Sequence, residues 1–182
     1  VGAGFHLYNV TKRPGGMSWS NLFYAAPLGA PAALVLSGLL GYYAERLRNA
    51  SSDAVPRVFG LPAGKSVALM AAAGLLGTTA EAGLLHFRGS FQNPAMYLPV
   101  TAPPLAAALL ATSALTSPRR KRLRWASRLM LRFTAFMGFT GAGFHAFGIA
   151  RNNGGWRNWR QNLQAGPPLP APPRFTGLGL AG

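Results

Sequence analysis

Four side chains stand out as able to do chemistry: the three histidines His6, His86 and His145, and Glu81. An imidazole can ligate haem iron, hydrogen-bond a quinone carbonyl or carry a proton near neutral pH. Each histidine falls near the end of an apolar run, and a histidine in a membrane helix usually has a partner or a task. Glu81 lies within Thr78-Thr79-Ala80-Glu81-Ala82-Gly83, well inside such a run. An ionised carboxylate there is costly unless paired or protonated. His86 follows five positions later, about 140° around a helix, so the two do not share a stripe. A histidine from a neighbouring hairpin is the expected partner of Glu81. These four residues form the candidate cofactor-binding set, for a quinone or haem b. Haem would require two histidines from different hairpins facing each other across one haem width. The competing reading is structural: near a membrane interface a histidine can hydrogen-bond loop backbone or water, and a copied residue can serve one capping role several times.

No set of metal-ligating or catalytic residues is identified by motif. The chain lacks cysteine, which excludes disulfides, thiolate metal sites and cysteine-ligated iron–sulfur clusters within it. Gly60-Leu61-Pro62-Ala63-Gly64-Lys65-Ser66 ends like a phosphate-binding loop but lacks the glycine spacing of one. Neither a zinc-protease helix nor a nucleophile elbow is present. Asn9-Val10-Thr11 and Asn49-Ala50-Ser51 match glycosylation acceptors, a pattern common by chance.

The elements that must position the four residues are apolar helices. Hydrophobic residues make up 49% of the chain and charged residues 12%, against about 25% charged in soluble domains. The acids are Glu45, Asp53 and Glu81, and the formal charge is +15. Such a charge suits nucleic acid, but the basic residues flank apolar runs of membrane-spanning length instead of lining a soluble face. Membrane lipids with anionic headgroups are the expected partners, and nucleic acid is not. A spanning helix needs about 20 mostly apolar residues, and residues 22–43, 66–87, 96–116 and 129–149 qualify. Residues 1–8 read as the tail of an earlier helix and 175–182 as the start of a later one, so the native protein is expected to extend beyond both. The fold expected is an all-α integral membrane protein of about six transmembrane helices, four complete and two partial.

Lysine and arginine in the loops set orientation. The segment between the first two complete helices carries Arg46, Arg48, Arg57 and Lys65, and 117–128 carries Arg119, Arg120, Lys121, Arg122, Arg124 and Arg128. These loops are placed in the cytoplasm. Those holding Lys12, Arg88 and Arg151 then face the periplasm, together with Trp19, Trp156 and Trp159, which read first as interfacial belt residues, as does Trp125 on the other side. The arginine bias and abundant Ala, Gly and Pro resemble a GC-rich bacterial genome, and a bacterial inner membrane is the expected location.

An internal repeat is the most informative feature. Gly2-Ala3-Gly4-Phe5-His6 recurs as Gly141-Ala142-Gly143-Phe144-His145. Lys12…Gly15-Gly16…Trp19 answers Arg151…Gly154-Gly155…Trp159. Asn21…Pro27…Pro31 answers Asn162…Pro168…Pro172. A weaker middle copy runs through Ala82-Gly83-Leu84-Leu85-His86-Phe87 and Asn93…Pro99…Pro103. The expected copies are about 1–65, 66–127 and 128–182 within a single membrane domain. Each is a two-helix hairpin in the same orientation, so the symmetry is a pseudo-threefold about the membrane normal. Gly74, Gly77, Gly138, Gly141 and Gly143 are candidates for close helix contact.

The function expected is a membrane subunit of a bacterial respiratory oxidoreductase complex, anchoring an extrinsic redox subunit, with a quinone or haem site near the periplasmic face. Its general layout resembles multi-helix quinone-reactive anchor subunits. The chain itself is expected to be an accessory subunit, with the reaction's catalysis elsewhere. Two alternatives are a non-catalytic scaffold in a respiratory or photosynthetic complex and a small proton-coupled transporter using Glu81.

Overall fold

The computed structural model describes residues 1–22, 28–50, 55–58 and 60–182. Among the described residues helix accounts for 79% and there is almost no sheet, so the fold is all-α. The chain divides into two compact units, 1–70 and 71–182.

The first unit contains α1 (Gly2–Lys12), α2 (Gly29–Arg48), a two-residue pair β1 (Arg57–Val58) and β2 (Leu61–Pro62), and the opening turns of α3 (Ala63–Arg88). The first expected span began at 22. Residues 23–27 lie outside the described residues, and the helix runs on past Tyr43 through the charged Glu45, Arg46 and Arg48. β1 and β2 pair antiparallel, Val58 opposite Leu61, with Gly60 at φ 75° in the turn, a conformation that favours glycine. Tyr43, Val58 and Ala63 form a buried cluster with Leu39, Val67 and Met70 against it. The buried Ser66 hydroxyl donates to the Val58 carbonyl at 3.0 Å. The expected cytoplasmic loop thus folds back and caps the start of α3.

The second unit is built on α5 (Lys121–Arg151), with α4 (Leu98–Leu115) and α7 (Ala171–Ala181) packed on it, and a short α6 (Trp159–Ala165) before α7. Small residues let α5 and α7 approach: a Cβ at Gly138 would lie 2.6 Å from the Pro172 carbonyl oxygen and from the Thr176 amide nitrogen. The Thr176 hydroxyl donates across this contact to the Ala135 carbonyl at 2.9 Å. Gly77 and Gly143, also expected at contacts, have no neighbouring atom within 4 Å of such a Cβ among the described residues. Among the described residues two helical segments, Ala63–Arg88 and Pro94–Leu115, are long and apolar enough to cross a membrane, with 22% and 28% of their apolar windows buried. The 129–149 segment lies within a longer α5, whose first four turns carry the basic residues Lys121, Arg122, Arg124, Arg128 and Arg132.

Candidate functional site

Each unit contains a loop that closes in the same way. α1 ends at Lys12 and α5 at Arg151, and the next residue is extended in both. Its amide donates back to the Val10 carbonyl in one and the Ile149 carbonyl in the other, at 3.2 Å each, and both of these side chains are fully buried. Lys12 lies over the Tyr8 ring and Arg151 over the Phe147 ring. Two consecutive glycines follow with positive φ, Gly15 (84°) and Gly16 (48°), then Gly154 (78°) and Gly155 (50°). Asn21 Nδ2 donates to the Pro14 and Gly16 carbonyls at 2.9 and 3.0 Å, and Asn162 Nδ2 to the corresponding Asn153 and Gly155 carbonyls at 3.2 and 2.7 Å. The asparagine clamp satisfies carbonyls that a turn would otherwise leave open. Pro31, Pro103 and Pro172, early in α2, α4 and α7, are all buried.

The middle loop is shorter and built differently. Asn93 Oδ1 accepts from the Ala95 amide at 2.9 Å and caps the turn Pro94–Tyr97, instead of clamping carbonyls. The left-handed positions are Ser90 (57°) and Phe91 (44°), which lack glycine's freedom. Phe91 stacks on Tyr97 with centroids 4.5 Å apart and meets the His86 ring edge-on at 6.1 Å. Those contacts hold a backbone that is unfavourable alone.

The histidines fall within this loop architecture. His86 Nδ1–H donates to the Met96 carbonyl and His145 Nδ1–H to the Pro168 carbonyl, both at 2.8 Å. In each pair a ring at the end of one helix is tied to backbone leading into the next. A carbonyl only accepts, so the bond fixes the proton on Nδ1, and in the neutral ring Nε2 carries the lone pair. His6 belongs to the first unit. Its Nδ1 is shielded and makes no hydrogen bond among the described residues, and Pro27, which corresponds to Pro168, lies outside them.

Glu81 has a partner that sequence reasoning missed. Arg174 lies in the first turn of α7 and forms a two-point ion pair with it, Nη1 to Oε2 and Nη2 to Oε1. The expected partner, a histidine from another hairpin, is therefore replaced by an arginine. The side chains are 15% exposed for Glu81 and 26% for Arg174. Neither residue has a like-charged counterpart in the other copies: aligned on the histidines, Glu81 matches Val1 and Thr140, and aligned on the prolines, Arg174 matches Ala33 and Leu105. The pair departs from the repeat pattern, as does the aromatic stack beside His86.

The second unit thus brings His86 and Glu81 on α3, His145 on α5 and Arg174 on α7 into one packed body. Among the described residues no group of three or more histidine, aspartate or glutamate side chains is placed to hold a metal ion. The group can offer oriented imidazole nitrogens and an arginine–carboxylate ion pair. Compared with known proteins, the chain matches no family model, no curated protein sequence and no solved structure.

Proposed function

We propose that this chain is a multi-pass subunit of a bacterial inner-membrane respiratory oxidoreductase complex, made of repeated helix hairpins and carrying a quinone or haem b site near its periplasmic face. The observation that carries the reading is the pair of imidazoles His86 and His145, each anchored through Nδ1–H to backbone, each with Nε2 left as the lone-pair atom. Binding through Nε2 with Nδ1 tied to a carbonyl is how proteins orient a ligating or hydrogen-bonding histidine. Glu81 and Arg174 add a fixed dipole in the same unit.

The membrane part of the reading is supported by apolar helices that stay largely uncovered. A soluble core would bury most of a helix as apolar as α3 or α4, and these bury about a quarter. On α5 the rings of Phe136, Phe139, Phe144 and Phe147 are exposed, and residues 133–150 contain no charge. The repeat is supported by the matched caps, glycines and clamps of the two loops. Exposed Trp19, Trp156 and Trp159 on those loops suit an extrinsic partner, since Trp and Arg anchor many interfaces.

The test is mass spectrometry of what co-purifies in mild detergent, with absorption spectra of the same sample. A co-purifying redox subunit, and a haem or quinone signal lost in His86→Gln and His145→Gln, is the expected result. If both variants assemble with unchanged partners and activity, the scaffold reading replaces this one, which the backbone anchoring of the histidines also favours. The two-point ion pair with Arg174 weighs against a proton carrier, because it engages both carboxylate oxygens of Glu81 in a contact between helices.

A further inference from the structure

The 71–182 unit has one acidic residue, Glu81, and Arg174 occupies it. The cations at the start of α5 therefore have no acidic residue left to pair with in their own unit. Arg119, Arg120, Lys121, Arg122, Arg124 and Arg128 fall within ten residues of sequence, a density of like charge that repels itself unless outside anions neutralise it.

Four arginines are regularly spaced. Arg120 caps α5, and Arg124, Arg128 and Arg132 follow at four-residue intervals. Each step turns about 40° and rises about 6 Å, so the four lie within about 120° of arc and about 18 Å of helix. Arg120, Arg128 and Arg132 are exposed, and Arg124 is half-buried, its Nε shielded and without a hydrogen-bond partner among the described residues. Trp125 stands beside them, 67% exposed. Directly beyond Arg132 the chain is free of charge as far as residue 150, about 27 Å of helix, close to the thickness of a hydrocarbon core. The α5 helix has 31 residues, about 46 Å, so its first turns reach the headgroup layer when that uncharged stretch spans the core.

We propose that the stripe Arg120–Arg124–Arg128–Arg132 is a binding site for the phosphates of anionic phospholipids, with Trp125 seated at the interface. The inference rests on the membrane reading above. Guanidinium matches phosphate oxygens two at a time, which ammonium does not. The one-turn spacing of the arginines allows a lipid with two phosphates to bridge neighbours. Basic segments next to a membrane helix are drawn to anionic leaflets, and a tryptophan ring sits at the same level.

The experiment uses the full chain, delipidated in detergent and equilibrated with mixed micelles of phosphatidylcholine and cardiolipin, and counts retained lipids by native mass spectrometry. The wild type should retain cardiolipin in preference. R120Q/R124Q/R128Q/R132Q should retain it at least about tenfold less, while the control R151Q/R157Q/R160Q, which removes basic residues from the opposite end, should match the wild type. Circular dichroism checks that each variant is helical. If the glutamine variant does not fold, the four-lysine variant serves, with retention between the two. Absence of a cardiolipin preference in the wild type, or equal loss in the stripe and control variants, overturns the proposal. Capture of an acidic protein by the stripe without any lipid preference also overturns it. Alkaline carbonate extraction of the wild type from cells separates the two readings: release into the soluble fraction sinks the membrane reading, and a chain that stays embedded but shows no lipid preference sinks only the lipid site.

Discussion

At the scale of single residues, the departures from the repeat are a second place, beside the histidines, to look for chemistry. Of the residues shared between copies, the clamping asparagines, the paired glycines and the buried prolines have local structural tasks. Glu81 and Arg174 have no matching charges in the other copies, and they bind one another. Removing one partner of a largely buried pair leaves an uncompensated charge and costs about 3–5 kcal/mol. Glu81→Gln and Arg174→Met should each lower unfolding stability by an amount in that range in a denaturant titration. The double variant should lose clearly less than the sum of the two, because neither charge is stranded. Strict additivity would mean that the pair does not couple α3 to α7. The need for a Glu81 partner was legible in the sequence, since a carboxylate inside an apolar run cannot stand alone. Its identity was not, because Arg174 sits 93 positions away and follows prolines that read as loop. The same applies to Met96 and Pro168, whose carbonyl oxygens receive the histidines: any residue supplies a carbonyl, so no side-chain pattern marks them.

Among the elements, the sequence made apolar helices evident and left their ends open. Apolar run length located α3 and α4 to within a few residues, since both are bounded by charge or by a capped turn. It placed the start of α5 late, because Lys121, Arg122, Arg124 and Arg128 read as loop although nothing in a basic residue prevents helix. The hairpin of β1 and β2 was hidden by its brevity. Glycine content suggested helix contacts without saying which glycines make them, and the structure separates Gly138, against α7 backbone, from Gly143, with open space around it. Alanine at the two positions should act with opposite sign. Gly138→Ala forces a Cβ to within 2.6 Å of the Pro172 oxygen, and overpacking against backbone costs about 1–3 kcal/mol. Gly143→Ala removes backbone freedom from a helix interior and should stabilise by about 0.5–1 kcal/mol. Chemical denaturation of both variants in one detergent decides it. Equal effects would mean that the α5–α7 contact is looser than described.

At the scale of the whole molecule, charge and apolar surface together argue for a single orientation. The chain carries +15 with few acids, and its α5 ends in a basic cluster on one side and a clamped, tryptophan-bearing loop on the other. A bilayer sorts such ends: dense lysine and arginine in short loops stay cytoplasmic. A reporter inserted in the 117–120 connection should therefore fluoresce as a cytoplasmic fusion and be inactive as a periplasmic phosphatase. Insertions in the connections at 89–93 and at 152–154 should give the opposite pattern. The loop between α1 and α2 should side with the latter pair, because repeats of two helices return each copy to the same face. That last site is the informative one. A cytoplasmic signal there, with the other insertions as expected, would leave the membrane reading standing and remove the parallel repeat. The likeness of the Asn21 and Asn162 clamps would then be a shared turn motif used on opposite faces.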